Sequence, residues 1–206
     1  MRRARHALPA LLVCLAGCAV VPNYPAALPE LAPADTRVGV SPDITGRYTD
    51  RGQGFSPAGE SEGEMSLTQL LGVRAPGGSV LSNAEVVVIA GPANGVLELQ
   101  SFQGDELLGT LRRPETDAAS VGSAYPETYA GNKGFVFLPV ETTHSGSPGV
   151  GGYAIDESLW LRKAVDGSLV VLHRNVGAGV IVVVPVWRRS DVWYRFPVAA
   201  PPTGGT

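Results

Sequence analysis

Few residues of this chain have the types and spacing that catalysis or metal binding requires. The 206 residues include three histidines, and His144 and His173 lie 29 positions apart, without the closely spaced partners of a zinc site. Gly54-Phe55-Ser56-Pro57-Ala58 matches only part of a Gly-x-Ser-x-Gly nucleophile elbow, because it ends in alanine and Pro57 opposes the following helix. We therefore predict no catalytic residue, no metal ligand and no cofactor.

The acidic residues between positions 60 and 64 are a second candidate site. Glu60, Glu62 and Glu64 alternate along the chain, as calcium ligands sometimes do. The D-x-D-x-D-G spacing and the distal glutamate of a calcium loop are missing. A solvated acidic loop is the favoured interpretation.

The first 18 residues have the parts of an export signal. A basic stretch from Met1 to His6 precedes about nine apolar residues, which is too short a run to span a bilayer. The stretch ends in Leu15-Ala16-Gly17-Cys18, which resembles the lipobox of bacterial lipoproteins. This resemblance implies cleavage between Gly17 and Cys18 and attachment of a diacylglyceryl group to the Cys18 thiol. An ordinary secretory signal with a chance cysteine, or a short membrane-buried helix, is the alternative.

The residue after the cysteine bears on the destination of the protein. Ala19 stands where an aspartate retains lipoproteins in the inner membrane of enterobacterial-type systems. The resemblance therefore implies an outer-membrane anchor, with the protein facing the periplasm. Cys14 is the only other cysteine and lies within the leader, so the exported chain is predicted to contain no disulfide.

Composition divides the chain into four segments. We predict a signal peptide over 1–17, a lipidated cysteine and proline-rich tether over 18–42, a β domain over 43–197 and a loose tail over 198–206. The tether carries five prolines, which favour extended chain over helix or sheet. Without the three arginines of the leader the chain has 13 basic and 19 acidic residues, a net charge of about −6. Such a domain is repelled by phosphate backbones, so no nucleic-acid partner is expected.

The predicted domain consists of short strands separated by glycine-rich turns. A helical turn or two is expected over 66–71, with Ser66 as a possible N-cap. Asp166-Gly167 between two alternating runs predicts a hairpin with a type I′ turn. The predicted strands cover 44–49, 84–90, 96–102, 106–112, 135–141, 158–165, 168–174, 180–187 and 191–196. We predict an all-β antiparallel meander with at most one short helix, forming an eight- to nine-stranded closed or nearly closed barrel.

The two ends of the predicted domain resemble those of lipocalins. That family has Gly-x-Trp in its first strand and an arginine near its last strand that packs over the indole. Here Gly46-Arg47-Tyr48 and Trp193-Tyr194-Arg195 take these places, with tyrosine for tryptophan and without the other loop signatures of the family. The resemblance implies that Arg195 stacks on Tyr48 in a cation–π contact.

The aromatic residues of the strands are the candidate ligand site. Tyr48, Trp160, Trp187 and Trp193 could line a pocket at an open barrel end, although aromatic strand residues are more often part of a core. We predict a non-enzymatic, membrane-anchored periplasmic lipoprotein that binds a protein partner or supports the envelope. The alternative is a lipocalin-like carrier of a small apolar ligand.

Overall fold

The computed structural model describes residues 23–34, 41–93, 96–114, 134–147, 151–181 and 184–201. Within these ranges the chain forms ten strands and one short helix, which confirms the predicted all-β class. The lipobox and the Asn94-Gly95 pair lie outside the described residues. In chain order the elements are β1 (Gly46–Thr49), β2 (Arg51–Phe55), β3 (Ser61–Ser66), α1 (Leu67–Leu71), β4 (Val86–Ala93), β5 (Val96–Gln103), β6 (Glu106–Pro114), β7 (Val136–Ser147), β8 (Gly151–Lys163), β9 (Leu169–Ile181) and β10 (Val184–Phe196).

The strands form two antiparallel sheets. Their orders are β1-β4-β5-β6 and β3-β2-β10-β9-β8-β7, and neither sheet closes on itself in the described residues. The predicted closed or nearly closed barrel is therefore not supported. The chain changes sheets at Asp50, because β1 pairs with β4 whereas β2 pairs with β3 and β10. This buried residue holds the corner, where its carboxylate accepts a hydrogen bond from the Thr68 N–H at 2.8 Å.

One hydrophobic core, the main core, lies between the two sheets. The four-stranded sheet contributes alternate residues, as the two-residue period of a strand requires. The six-stranded sheet and the helix contribute most of the others, and connecting segments add Ile44, Val73 and Leu81. Its fully buried members include Tyr48, Leu67, Leu71, Val87, Ile89, Leu97, Leu99, Leu159, Leu161, Leu169, Val171 and Phe196. We call the side of the six-stranded sheet that faces this core its inner face, and the opposite side its outer face.

The short helix forms where the sequence predicts it. Helix α1 begins after Ser66, whose hydroxyl accepts a hydrogen bond from the Gln69 N–H at 3.2 Å. It ends at Gly72, which has a left-handed φ of 75°. The Gly72 N–H donates to the carbonyls of Gln69 and Thr68 in the last turn of the helix. The N-cap and C-cap chemistry thus explains both ends of the helix.

Strands β2 and β3 lie in a region that the sequence predicts as loop. The glycines of β2 have low strand propensity, but they make room for the aromatic residues of β10. A Cβ at Gly52 would come within 2.4 Å of the Phe196 ring, and one at Gly54 within 2.8 Å of the Tyr194 ring. Close packing across the sheet therefore outweighs the local preference for loop.

The last four strands are much longer than their predicted counterparts. Each has 12 or 13 residues. The single strand predicted over 180–187 is wrong, because its residues are divided between the end of β9 and the start of β10, which pair with each other. The rest of β10 includes the strand predicted over 191–196. The predicted glycine-rich loop over 142–152 is largely strand, because the ends of β7 and β8 pair with each other. The Asp166-Gly167 hairpin is confirmed, but three residues separate Ala164 from Ser168, and Gly167 takes a φ of 82°. This fits a three-residue loop with a left-handed glycine, not the predicted type I′ turn.

Candidate functional site

Residues 23–34 lie against the outer face of the six-stranded sheet. The Ala32 N–H donates to the Lys163 carbonyl at 2.9 Å, and the Val165 N–H donates to the Glu30 carbonyl at 2.8 Å. The Arg162 guanidinium adds a hydrogen bond to the Ala32 carbonyl at 2.6 Å. We call residues 23–34 the docked segment. This part of the predicted proline-rich tether is thus bound to the domain, in contrast to a spacer that stands free.

Apolar side chains of the docked segment complete a second hydrophobic cluster, the outer cluster. The ring of Tyr24 meets that of Trp193 edge to face, with centroids 5.1 Å apart, and Leu28 is buried beside them. The Tyr24 hydroxyl donates to the Pro29 carbonyl at 2.5 Å, and burial raises the pKa of Tyr24 to about 12. The outer cluster comprises Leu28, Phe135, Ala164, Val170, Leu172 and Trp193, with Tyr24, Leu31, Phe55 and Trp160 at its margin. The spaced apolar residues 24, 28 and 31 were the sequence signal for this docking.

The four residues predicted to line a pocket do not meet around one cavity. Trp160 and Trp193 belong to the outer cluster, whereas Tyr48 lies across the sheet in the main core. Trp187 is 68% exposed and belongs to neither cluster. A shallow pocket of about 400 Å³ lies elsewhere, against the four-stranded sheet, and is lined by Gly72, Arg74, Ala75, Pro76 and residues 107–111.

Arg195 lies on the outer face, away from the main core that holds Tyr48. Its Nη2 donates to the Asp166 carboxylate at 2.6 Å, while the Tyr48 hydroxyl donates to the Ile44 carbonyl at 2.9 Å. The expected stacking of Arg195 on Tyr48 is therefore replaced by an ion pair at the hairpin turn. Burial opposes ionisation of Asp166, but hydrogen bonds from Ser168 and Arg195 outweigh it and lower the pKa of this carboxyl.

Between the outer cluster and the far ends of β9 and β10, the outer face carries paired charges. The carboxylate of Asp191 accepts hydrogen bonds from Arg174 at 2.9 Å and from Arg189 at 2.6 Å. The Arg174 guanidinium also lies over the Trp160 ring, 5.6 Å from its centroid. Because these arginines are bound to the carboxylate, the arrangement holds the sheet together and does not present an open anion site.

Three polar side chains lie on the inner face at the same position along the strands as Arg174 and Asp191 on the outer face. His173 Nε2 lies 3.8 Å from Glu157, whose carboxylate also accepts a hydrogen bond from Asn175 at 3.1 Å. Burial lowers the pKa of His173 below its ordinary value of 6.5, although Glu157 acts in the opposite direction. No group of three His, Cys, Asp or Glu side chains in the described part of the chain could hold a metal ion.

Beyond these polar residues the four long strands continue as an uncharged arm. We define the arm as residues 143–147, 151–155, 177–181 and 184–187. The sequence from 143 to 155 and from 177 to 187 contains no Asp, Glu, Lys or Arg. Three of its large apolar side chains are exposed, Val184 by 58%, Trp187 by 68% and Val180 by 45%. Clustered exposed apolar side chains on a folded domain mark interaction sites. Trp187 and Val180 form such a cluster, so among the described residues the arm is the strongest candidate functional site.

Strand register places part of the arm on the outer face. Trp187 is paired with Ala178, which is paired with Ala154, so the three residues share one face with Trp193 at six residues' distance along β10. Val180 lies on the same face, two residues beyond Ala178 along β9. The arm's outer face is thus continuous with the face that carries the docked segment.

Comparison with known proteins finds no relative of this chain. No protein-family model, no curated protein and no solved structure matches the chain. Among the described residues no helix is long and apolar enough to cross a membrane.

Proposed function

We propose that this chain is a lipid-anchored, non-enzymatic protein of the bacterial envelope that binds through its uncharged arm. The observation that carries this proposal is the arm itself. It exposes Trp187, Val180 and Val184 at the end of strands that carry no charge there, although 17% of the whole chain is charged. A surface of this kind favours contact with another apolar surface over exposure to water.

The anchor rests on the leader and its lipobox. Leu15-Ala16-Gly17-Cys18 supports lipidation of Cys18, and Ala19 supports an outer-membrane location that faces the periplasm. A protein attached at Cys18 works at a surface, where even weak contacts are strengthened by the high local concentration of neighbours. An exposed apolar arm suits that setting.

Carriage of a small apolar ligand has less support. A carrier needs a concave apolar cavity that encloses most of its ligand. The aromatic residues that could form one are divided between the main core, the outer cluster and the exposed arm. Binding by the arm requires no such cavity.

Lipid labelling of the full chain in a Gram-negative host tests the anchor. We expect labelled palmitate in the wild-type protein, a mature mass that begins at Cys18 and includes acyl groups, and recovery in the membrane fraction. Cys18→Ser should abolish the label and release the protein from membranes. Cys14→Ser is the matched control, because this cysteine lies in the predicted leader, and it should retain label and location. Label in Cys18→Ser, or none in the wild type, would overturn the proposal.

A further inference from the structure

We infer that the arm is a second membrane contact, which lies in the interfacial layer of the same bilayer that holds the lipid anchor. This inference rests on the proposed lipidation of Cys18. It identifies the binding surface as the outer face and end of the arm, around Trp187 and Val180. Its ligand is the headgroup and upper acyl region of a phospholipid bilayer.

The composition of the arm is that of an interfacial element. Tryptophan is enriched at the membrane–water boundary, where its apolar ring and its N–H find different surroundings. Trp187 is the one tryptophan of the three that is exposed, and Val180 beside it adds apolar surface. The opposite end of the same strands carries ion pairs, such as Arg195 with Asp166 and Lys163 with Asp43. The six-stranded sheet therefore has one charged end and one uncharged end.

The docked segment holds Tyr24 within reach of this same end. Tyr24 is held on the outer face by its contact with Trp193. Six residues lead from Cys18 to Tyr24, and a chain of that length spans at most about 20 Å. Trp187 lies six residues from Trp193 along β10, which is also about 20 Å at the rise of a strand. The lipidated cysteine and Trp187 are thus able to meet one bilayer surface.

Backbone hydrogen bonding sets the depth of the contact. In the arm β8 and β9 are paired on both sides, but the described residues give β7 only β8 as a neighbour. Among the described residues the arm part of β10 is paired only with β9, because β2 reaches only residues 193–195. Unpaired backbone groups are costly in hydrocarbon but are satisfied by water and headgroups. The arm therefore enters the interfacial layer and does not span the bilayer.

Fluorescence quenching by brominated phospholipids tests this contact directly. Full-length lipidated protein is placed in phosphatidylcholine–phosphatidylglycerol vesicles, with bromine on the upper acyl chain of a fraction of the lipids. We expect bromolipid to quench part of the tryptophan emission, and Trp187→Phe to lose most of that quenchable part. Trp160 and Trp193 should contribute little, because they pack in the outer cluster.

A pair of aspartate substitutions provides the matched control. Val180→Asp places a charge on the arm beside Trp187, whereas Val165→Asp places one at the hairpin turn at the other end of the sheet. Both valines are exposed, by 45% and 59%, so neither change should unfold the domain. Val180→Asp should reduce the quenching of Trp187, and Val165→Asp should leave it unchanged.

The outcomes separate this inference from the proposed function. If mass spectrometry shows the acyl groups and Trp187 is not quenched, the membrane contact is wrong while the anchor stands. If Trp187 is unquenched and sedimentation shows a dimer, the arm binds a second copy and the inference is again overturned. If the acyl groups are absent, the proposed anchor fails first, and this inference fails with it.

Discussion

The arm of the six-stranded sheet and its base, which we define as residues 136–138, 159–163, 169–172 and 193–196, are built from the same four strands but differ in what covers them. At the base, β8, β9 and β10 are packed on both faces, by the main core on one side and by the docked segment on the other. In the arm the same strands keep their apolar residues, yet Val180, Val184 and Trp187 are exposed. The difference teaches that burial here follows from what lies across the sheet and not from how apolar the strand is.

The two tryptophans of β10 give the strongest test of this comparison. Trp193 is 1% exposed and Trp187 is 68% exposed. We expect Trp193→Ala to lower the free energy of unfolding by about 3–5 kcal/mol, because it leaves a cavity in the outer cluster. Trp187→Ala should change it by no more than about 0.5 kcal/mol. Urea unfolding followed by circular dichroism measures both, and equal losses would contradict the division into base and arm.

The docked segment gives a smaller effect. Leu28 is buried in the outer cluster, whereas the adjacent Ala27 is exposed. Leu28→Ala should cost about 2 kcal/mol of unfolding free energy, at the lower end for a buried leucine, because a peripheral segment relaxes into the space. Ala27→Ser is the control and should be nearly neutral. If the two variants unfold at the same urea concentration, the segment does not cover the base in solution.

A pH effect at the junction of base and arm is the smallest of the three. Burial lowers the pKa of His173 in the folded protein from its ordinary 6.5, so the unfolded chain takes up the proton more readily. His173 therefore does not destabilise the folded protein above about pH 6.5. Below that pH the free energy of unfolding falls as the pH drops toward the pKa of His173 in the folded protein. His173→Gln should flatten that part of the profile. Melting temperatures measured between about pH 8 and pH 5 would disprove this if the variant kept the wild-type slope.

Local features of the fold were predictable because their causes are local. Ser66 caps α1 with its own hydroxyl, and Gly167 supplies the left-handed residue of the hairpin loop. Apolar runs bounded by turn residues predict most of β6, the first half of β9 and the end of β10. Each of these signals acts within a few residues, so the sequence alone contains the information.

The candidate site was harder to predict because it depends on distant contacts. The glycine-rich stretch around residues 142–152 is typical of a loop, yet β7 and β8 continue through it as paired strands on either side of 148–150. The strand β2 forms because its glycines admit Tyr194 and Phe196. The prolines favour a free tether over 18–42, but their spacing does not reveal that Tyr24 and Leu28 contact the outer face of the sheet.

By itself the sequence determined an all-β chain, the position of the short helix and the Asp166-Gly167 hairpin. It also predicts that Cys18 is lipidated. Only the tertiary structure decided that the strands divide into two sheets, that residues 23–34 cover the base, and that Trp193 is buried while Trp187 is exposed. The physical reason is that alternation and turn chemistry act between neighbours in the chain. Burial of a strand face depends on strand pairing and on segments that are more than a hundred residues away, as Ala32 is from Arg162.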